Sequence, residues 1–504
     1  MSKLKPLSFQ VFFVLNYIYL NIFLMKVKTQ KTIADVGRIL EDHIIDSVNR
    51  KTNALDQREP KSIAKTLKLK ERLRFGFKSS EDILDFVTNY LKNTNHLNHP
   101  HYMGHQVPVP HDLAGIPELI HGTINNPSSL YEMGPAGSTC EGFMINWMLD
   151  KLGWLNNKDY YDFKFETGLP SGVLTHGGSI ANLTALTAAR SSISPDSWNE
   201  GNPPDLVVMG SASAHYSILR SLSILGLGKK SFIPIPVDKN EVIDITRLEL
   251  IYEKLITEGK KVMCLIANAC ATSTGLFDPL DQMGDFCLKH KIWFHVDGAH
   301  GAAALVSSKN KIIVKGIEKA TSLIWDAHKM MRVPSLCTAV IFKDFKHQAG
   351  AFQQKGSYVF HNNEVVGMDS MAYTVECTKS ALGTKLFWAF AIEGEKAIER
   401  FIDYTFELCN SFYDLLKIES DFETPYKPQS NILCFRYIKF SKEDEFQLKL
   451  RYEIINNKYF YITSCEMNGV RYLRVVLLNP STNIDHLKEL IIEIKKIANI
   501  LANK

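Results

Sequence analysis

Between about residues 200 and 345 the chain alternates short, almost unbroken apolar runs with segments whose apolar residues recur every three or four positions. This spacing predicts strands over 206–209, 232–237, 262–267, 292–296, 322–325 and 337–342, with helices such as 218–225 and 280–289 between them. Runs that are apolar throughout belong to strands covered on both faces. The pattern therefore predicts an α/β fold, a mainly parallel sheet with helices on both faces. Ligands of such sheets sit beyond the carboxyl ends of the strands.

The ends of the chain read differently. Ile33, Val36, Ile39, Leu40 and Ile44 fall at helical spacing, Ile83, Leu84, Phe86 and Val87 mark a second helix, and 53–68 reads as a polar loop. Toward the C-terminus, strands are expected over 432–438, 459–464 and 471–478 around a helix at 443–455. A last helix carries Ile484, Leu487, Ile491, Ile494 and Ile497 on one face. The expected division is an apolar segment 1–25, an N-terminal helical region 26–110, a large α/β domain 111–385 and a small C-terminal α+β domain 386–504.

Segment 8–25 has the outline of a signal sequence or short membrane anchor, with Lys3 and Lys5 before it. Gln10, Asn16 and Asn21 interrupt it, and Lys26 and Lys28 follow directly. A start assigned too far upstream, with Met25 as initiator, is the reading placed first, a membrane anchor second and export third.

At 504 residues the chain exceeds one ordinary core. A net charge of +4, with no basic run interleaved with aromatics, gives no case for nucleic acid. Nine cysteines, an odd number without a C-x-x-C pair, argue for reduced thiols in a cytoplasmic protein rather than a disulfide framework. No H-x-x-x-H pair on an expected helix suggests a metal.

Two segments carry chemistry. Phe294-His295-Val296-Asp297-Gly298-Ala299-His300 and Trp325-Asp326-Ala327-His328-Lys329-Met330 place a carboxylate and a lysine at the ends of expected strands. Each has an ordinary alternative, Asp297 as a turn residue and Lys329 as a solvated strand end. Together they are what a pyridoxal phosphate (PLP) site needs: a lysine for the Schiff base and a carboxylate that keeps the pyridine nitrogen protonated. The uncharged run 322–325, with Met330 and Met331, predicts a desolvated Lys329 amine of lowered pKa. Gly177-Gly178-Ser179 opens an amphipathic helix and offers backbone N–H groups to a phosphate, unless Ser179 is only a helix cap. Arg474 interrupts an apolar strand, so an inward guanidinium requires an anion, whereas one facing solvent at a domain edge needs only a surface ion pair. Tyr358, in a polar, glycine-containing stretch, reads either as a proton donor on a closing loop or as an aromatic anchor.

From about Asn98 to Asn479 these motifs occur in an order that resembles the group II PLP-dependent amino-acid decarboxylases, among them glutamate and L-2,4-diaminobutyrate decarboxylases. The resemblance implies the aspartate-aminotransferase-like fold (fold type I) and a homodimer with sites at the subunit interface. It implies decarboxylation of an L-amino acid through PLP on Lys329, with a small polar or charged substrate resembling glutamate, aspartate or diaminobutyrate. By the same resemblance Asp297 pairs with the pyridine nitrogen and Ala299 lies beside the cofactor. His215 stacks on the ring, Gly177, Gly178 and Ser179 bind phosphate, and His328 lies near phosphate and substrate. Tyr358 returns the proton, Arg474 holds a carboxylate, and Tyr131-Glu132-Met133-Gly134-Pro135 is a substrate-side segment. Two departures stand out. His105 occupies a substrate-side position where glutamate decarboxylases have Gln, which speaks against glutamate itself. Asp326 replaces the family's Asn beside the phosphate, so it either points elsewhere or is offset by another donor. Carbon-carbon lyase or aminotransferase chemistry, and a non-catalytic paralogue, are the alternatives.

Overall fold

The apolar runs assemble into a seven-stranded sheet of order β1-β7-β6-β5-β4-β2-β3. Its strands are β1 (Ser171–Thr175), β2 (Leu206–Ser211), β3 (Phe232–Ile235), β4 (Lys261–Asn268), β5 (Trp293–Asp297), β6 (Ser322–Asp326) and β7 (Thr338–Phe342). Neighbours from β3 through β6 run parallel, whereas β7 is antiparallel to both β6 and β1. Every residue of β1, β2, β5, β6 and β7 is buried, as strands covered on both faces must be. The fold is thus the α/β arrangement expected. The edge strand β1 is an addition, because 171–175 reads in sequence only as the lead into a glycine turn.

The computed structural model describes residues 9–155, 159–352, 367 and 369–503. The chain divides into two units, Met1–Tyr102 with Ile455–Tyr461, and Met103–Ile454 with Ile462–Lys504. In the first, helix Phe9–Val48 meets helix Ser80–Leu91, where Thr32 Oγ1 donates to Ser80 Oγ at 2.9 Å. The loop expected over 53–68 is corrected in part, since Pro60–Thr66 is helical. Proline suits that first turn, where its missing N–H costs nothing.

The second unit holds the large sheet and a four-stranded antiparallel sheet of order β10-β11-β9-β8. These strands are β8 (Phe422–Glu423), β9 (Ile432–Tyr437), β10 (Thr463–Met467) and β11 (Val470–Val476). The strand expected over 459–464 is displaced to Thr463–Met467. Asn468 and Gly469, at φ 50° and 75°, form the two-residue turn that fixes Met467 opposite Val470. Helices Asp444–Asn456 and Ile484–Ala502 occupy the expected places. Among the described residues no helix is long and apolar enough to cross a membrane.

Candidate active site

Beyond the carboxyl ends of β5 and β6, at the N-terminus of helix Gly178–Ile193, lies a cavity of about 180 Å³. Gly178, Ser179, His215, Asp297, Ala299, His328 and Lys329 all line it, so the structure brings together these sequence-expected residues. Gly177 precedes them as the helix cap with φ +110°, a conformation that side chains disfavour. The first N–H groups of a helix lack intrahelical acceptors and carry the positive end of its dipole. Gly178 and Ser179 therefore present an anion seat to the cavity.

Asp297 ends β5 and is held from two sides. Asn182 Nδ2 donates to its Oδ2 at 3.0 Å, and the Ala299 N–H donates to its Oδ1 at 3.2 Å. The same Asn182 amide donates to Ser217 Oγ at 3.0 Å, and Ser217 Oγ lies 2.8 Å from His215 Nδ1. Behind them His295 bridges Asn182 Oδ1, at 2.9 Å, and Ser322 Oγ, at 2.8 Å. Burial pushes the His295 imidazole down to about 4, so it stays neutral at ordinary pH. Burial also lowers His215, against the opposing pull of Asp297. Sequence reasoning missed Asn182, Ser217 and His295. A signal existed: residues two apart on a strand share a face, so His295 accompanies Asp297.

Lys329 leaves the turn after β6 with its Nζ 3.0 Å from Asp326 Oδ2. The expected lowering of its pKa is contradicted. Burial does push the amine down, but Asp326 and Asp297 outweigh it and the net shift is upward. Asp326 does not point elsewhere: a Cβ placed on Gly178 would come within 3.2 Å of its Oδ1. Thr338 Oγ1 donates to that oxygen at 2.6 Å. Although burial opposes ionisation of Asp326, Lys329, His328 and Thr338 keep its carboxyl below the usual range. His328 Nε2 is 3.7 Å from Asp326 Oδ2, and its Nδ1 is 2.9 Å from the Cys337 carbonyl oxygen.

These residues fit PLP: an amine, a buried carboxylate beyond it, a flanking imidazole and a helix N-terminus for phosphate. His300, also on the cavity wall, is hydrogen-bonded through Nε2 to Asn431 at 2.7 Å, while its buried Nδ1 has no partner among the described residues. That orphaned atom is consistent with a polar ligand in the cavity.

A second, more open cavity of about 570 Å³ shares His215 and Thr272 with the first and contains Arg474 and His105. Arg474 is 6% exposed on β11, opposite Cys434 and Thr463. Its Nε donates to Ser273 O at 2.9 Å, Nη2 to Thr272 O at 2.7 Å, and Nη1 to Gly104 O at 3.3 Å and Thr463 Oγ1 at 3.2 Å. No carboxylate pairs with it among the described residues. Burial, then Arg474 and Arg451, lower His105. Tyr131 lines neither cavity; its N–H donates to Asp369 Oδ1 at 2.8 Å. Tyr358 lies outside the described residues.

Comparison with known proteins bears on this geometry. The model of the pyridoxal-dependent decarboxylase conserved domain matches residues 77–438. The chain is 27% identical over 468 residues to an aromatic-L-amino-acid decarboxylase of Bacillus atrophaeus, covering 91% of this chain and 93% of that protein. It is 27% identical over 412 residues to cysteine sulfinic acid decarboxylase of Mus musculus, covering 80% of each. The crystal structure of mouse CSAD in apo form superposes with a TM-score of 0.85 at 24% identity, over 94% of this chain and 99% of that one. With a matching domain over most of its length and a cavity that suits the cofactor, the chain belongs to the pyridoxal-dependent decarboxylases and is a PLP-dependent amino-acid decarboxylase.

Proposed function

We propose that the enzyme removes the α-carboxylate of a small polar or charged L-amino acid, releasing the amine and carbon dioxide. The observation that carries this reading is Arg474, a buried guanidinium with no carboxylate partner among the described residues, in a cavity that shares His215 and Thr272 with the Lys329 cavity. Four N–H bonds, three to main-chain carbonyls and one to a hydroxyl, fix its position while leaving its charge uncompensated. A substrate carboxylate supplies that compensation.

When bound, PLP supplies the electron sink for the pair left at Cα as carbon dioxide departs. Lys329 provides the amine to which the cofactor attaches, and the Gly177 to Ser179 turn holds its phosphate. Asp297, fixed by Asn182 and the Ala299 N–H, keeps a proton on the pyridine nitrogen. His215, oriented through Ser217, and His328 both line the cavity and would help hold the cofactor there, His215 against its ring and His328 near its phosphate. His105 contacts substrate beside Arg474, and Tyr358 returns a proton to Cα. We read the enzyme as a homodimer with sites at the interface, working in the cytoplasm. The buried free thiols of Cys264, Cys287 and Cys409 support that compartment.

Product analysis with a panel of L-amino acids tests the reaction. Stoichiometric amine and carbon dioxide are expected. Oxo-acid products or Cα–Cβ cleavage would instead mean aminotransferase or carbon-carbon lyase chemistry.

A further inference from the structure

The open cavity carries two cations. Besides Arg474 its wall includes Arg451, from helix Asp444–Asn456, and no carboxylate among the described residues lines it. Both guanidinium groups lie close enough to His105 to disfavour its protonation. Behind the wall stands Glu241, bonded to the lining residue Ser213, and its oxygens are already engaged. Its Oε2 accepts from Ser213 Oγ at 2.9 Å and its Oε1 from the Asn468 N–H at 2.8 Å.

The two arginines differ in what they have left to give. Of the five N–H groups on Arg474, four are taken by protein oxygens, so it can hold one carboxylate edge but not bridge to a second. Arg451 has a buried Nε with no hydrogen-bond partner and no ion-pair partner among the described residues. Two like charges facing one cavity repel each other, and an unpaired buried N–H costs free energy. Both costs are relieved by a ligand with two anionic groups.

We propose that Arg451 is a specificity-determining residue that pairs with the acidic side chain of the substrate, a carboxylate or a sulfinate, while Arg474 holds the α-carboxylate. This rests on the reading of Arg474 given above and narrows the substrate to acidic amino acids. A cationic side chain such as that of diaminobutyrate meets two guanidinium groups, and an aromatic one leaves Arg451 unpaired.

The test uses the full-length, PLP-loaded enzyme with L-aspartate, L-glutamate, L-cysteine sulfinate, L-2,4-diaminobutyrate and L-phenylalanine, comparing wild type with Arg451→Gln and Arg451→Lys. Arg451→Gln should raise KM for the preferred acidic substrate roughly 10- to 100-fold while changing kcat much less, and Arg451→Lys should recover part of the loss. The relative rates with cysteine sulfinate and the two dicarboxylic acids decide between sulfinate and carboxylate. In parallel, calorimetry with glutarate and butyrate, which do not react, reads binding alone. Arg451→Gln should weaken glutarate by a similar factor and leave butyrate unchanged. Wild type that prefers diaminobutyrate or phenylalanine, or equal glutarate binding in wild type and Arg451→Gln, overturns the role of Arg451 and leaves the decarboxylase reading intact. Absence of amine from every amino acid would count against that reading instead, with the glutarate comparison still deciding on Arg451.

Discussion

Lys329 Nζ and Asp326 Oδ2 stand 3.0 Å apart at the end of β6, so the amine proposed to receive the cofactor is held as an ammonium by a carboxylate three residues before it. Asp326 and Asp297 both favour the charged form and together outweigh burial. The free amine is the form that reacts with the cofactor's aldehyde, so a raised pKa slows PLP incorporation on the acid side. Asp326→Asn removes one of the two charges, and the acid limb of the incorporation rate should move to lower pH. The same change removes an anion beside the phosphate seat at Gly178, so half-saturation should occur at lower PLP concentration. Absorbance time courses across pH measure both, and superposable profiles would exclude the coupling. Borohydride reduction and peptide mapping should place the cofactor on Lys329 and on no other lysine.

Asp297→Ala should bind PLP more weakly and lose turnover by roughly 100-fold or more, because the pyridine nitrogen loses the anion that keeps it protonated. It also strands the Asn182 amide and the Ala299 N–H. Steady-state kcat at saturating PLP is the measurement, and near-normal turnover is incompatible with the role.

Arg474→Ala should lower kcat/KM by about 30-fold to several thousand-fold, the range expected for loss of about 2 to 5 kcal/mol from a desolvated charged partner. The carbonyls of Gly104, Thr272 and Ser273 lose a donor at the same time, so the melting temperature should fall as well. Arg474→Lys keeps the charge but not the planar fork and should fall between.

Tyr358→Phe removes only a hydroxyl. If that hydroxyl returns the proton to Cα, amine formation slows and pyridoxamine phosphate accumulates, because the proton reaches the cofactor instead. The ratio of amine to pyridoxamine phosphate per turnover is the readout. An unchanged ratio together with an unchanged rate assigns proton return to another donor.

His295 carries a pH prediction. Its folded-state pKa, lowered by burial to about 4, lies below the 6.5 of the unfolded chain, so between these values the unfolded state binds more protons. Stability from this group is complete above pH 6.5 and is lost as pH falls toward 4, by about 3 kcal/mol. Asp278, raised by burial to about 6, works in the opposite sense. The readout is therefore the difference between wild type and His295→Gln in urea unfolding from pH 4 to 7. That difference should depend on pH over this window and be flat above it.

The sequence by itself determined the class of fold and several of the residues that line the candidate cavity. Fully apolar runs define doubly covered strands through local burial alone, and Asp297, Lys329 and the Gly177 to Ser179 turn are local punctuation at strand and helix ends. Tertiary structure decided what depends on partners distant in the chain. The strand β1 exists because it pairs with β7, whose antiparallel direction no local pattern encodes. The register of β10 follows from the turn at Asn468 and Gly469 rather than from the apolar residues at 459–462. The sign of the Lys329 shift was misread because an uncharged flank predicts desolvation, whereas the fold sets two carboxylates against the amine. The convergence of Asn182, Ser217 and His295 behind Asp297 joins two helices and a strand separated by up to 113 positions, and the meeting of Arg451 with Arg474 joins a helix to a strand. Such pairings are products of packing, because side-chain polarity fixes which residues need a partner while only the assembled layers fix which partner each one finds.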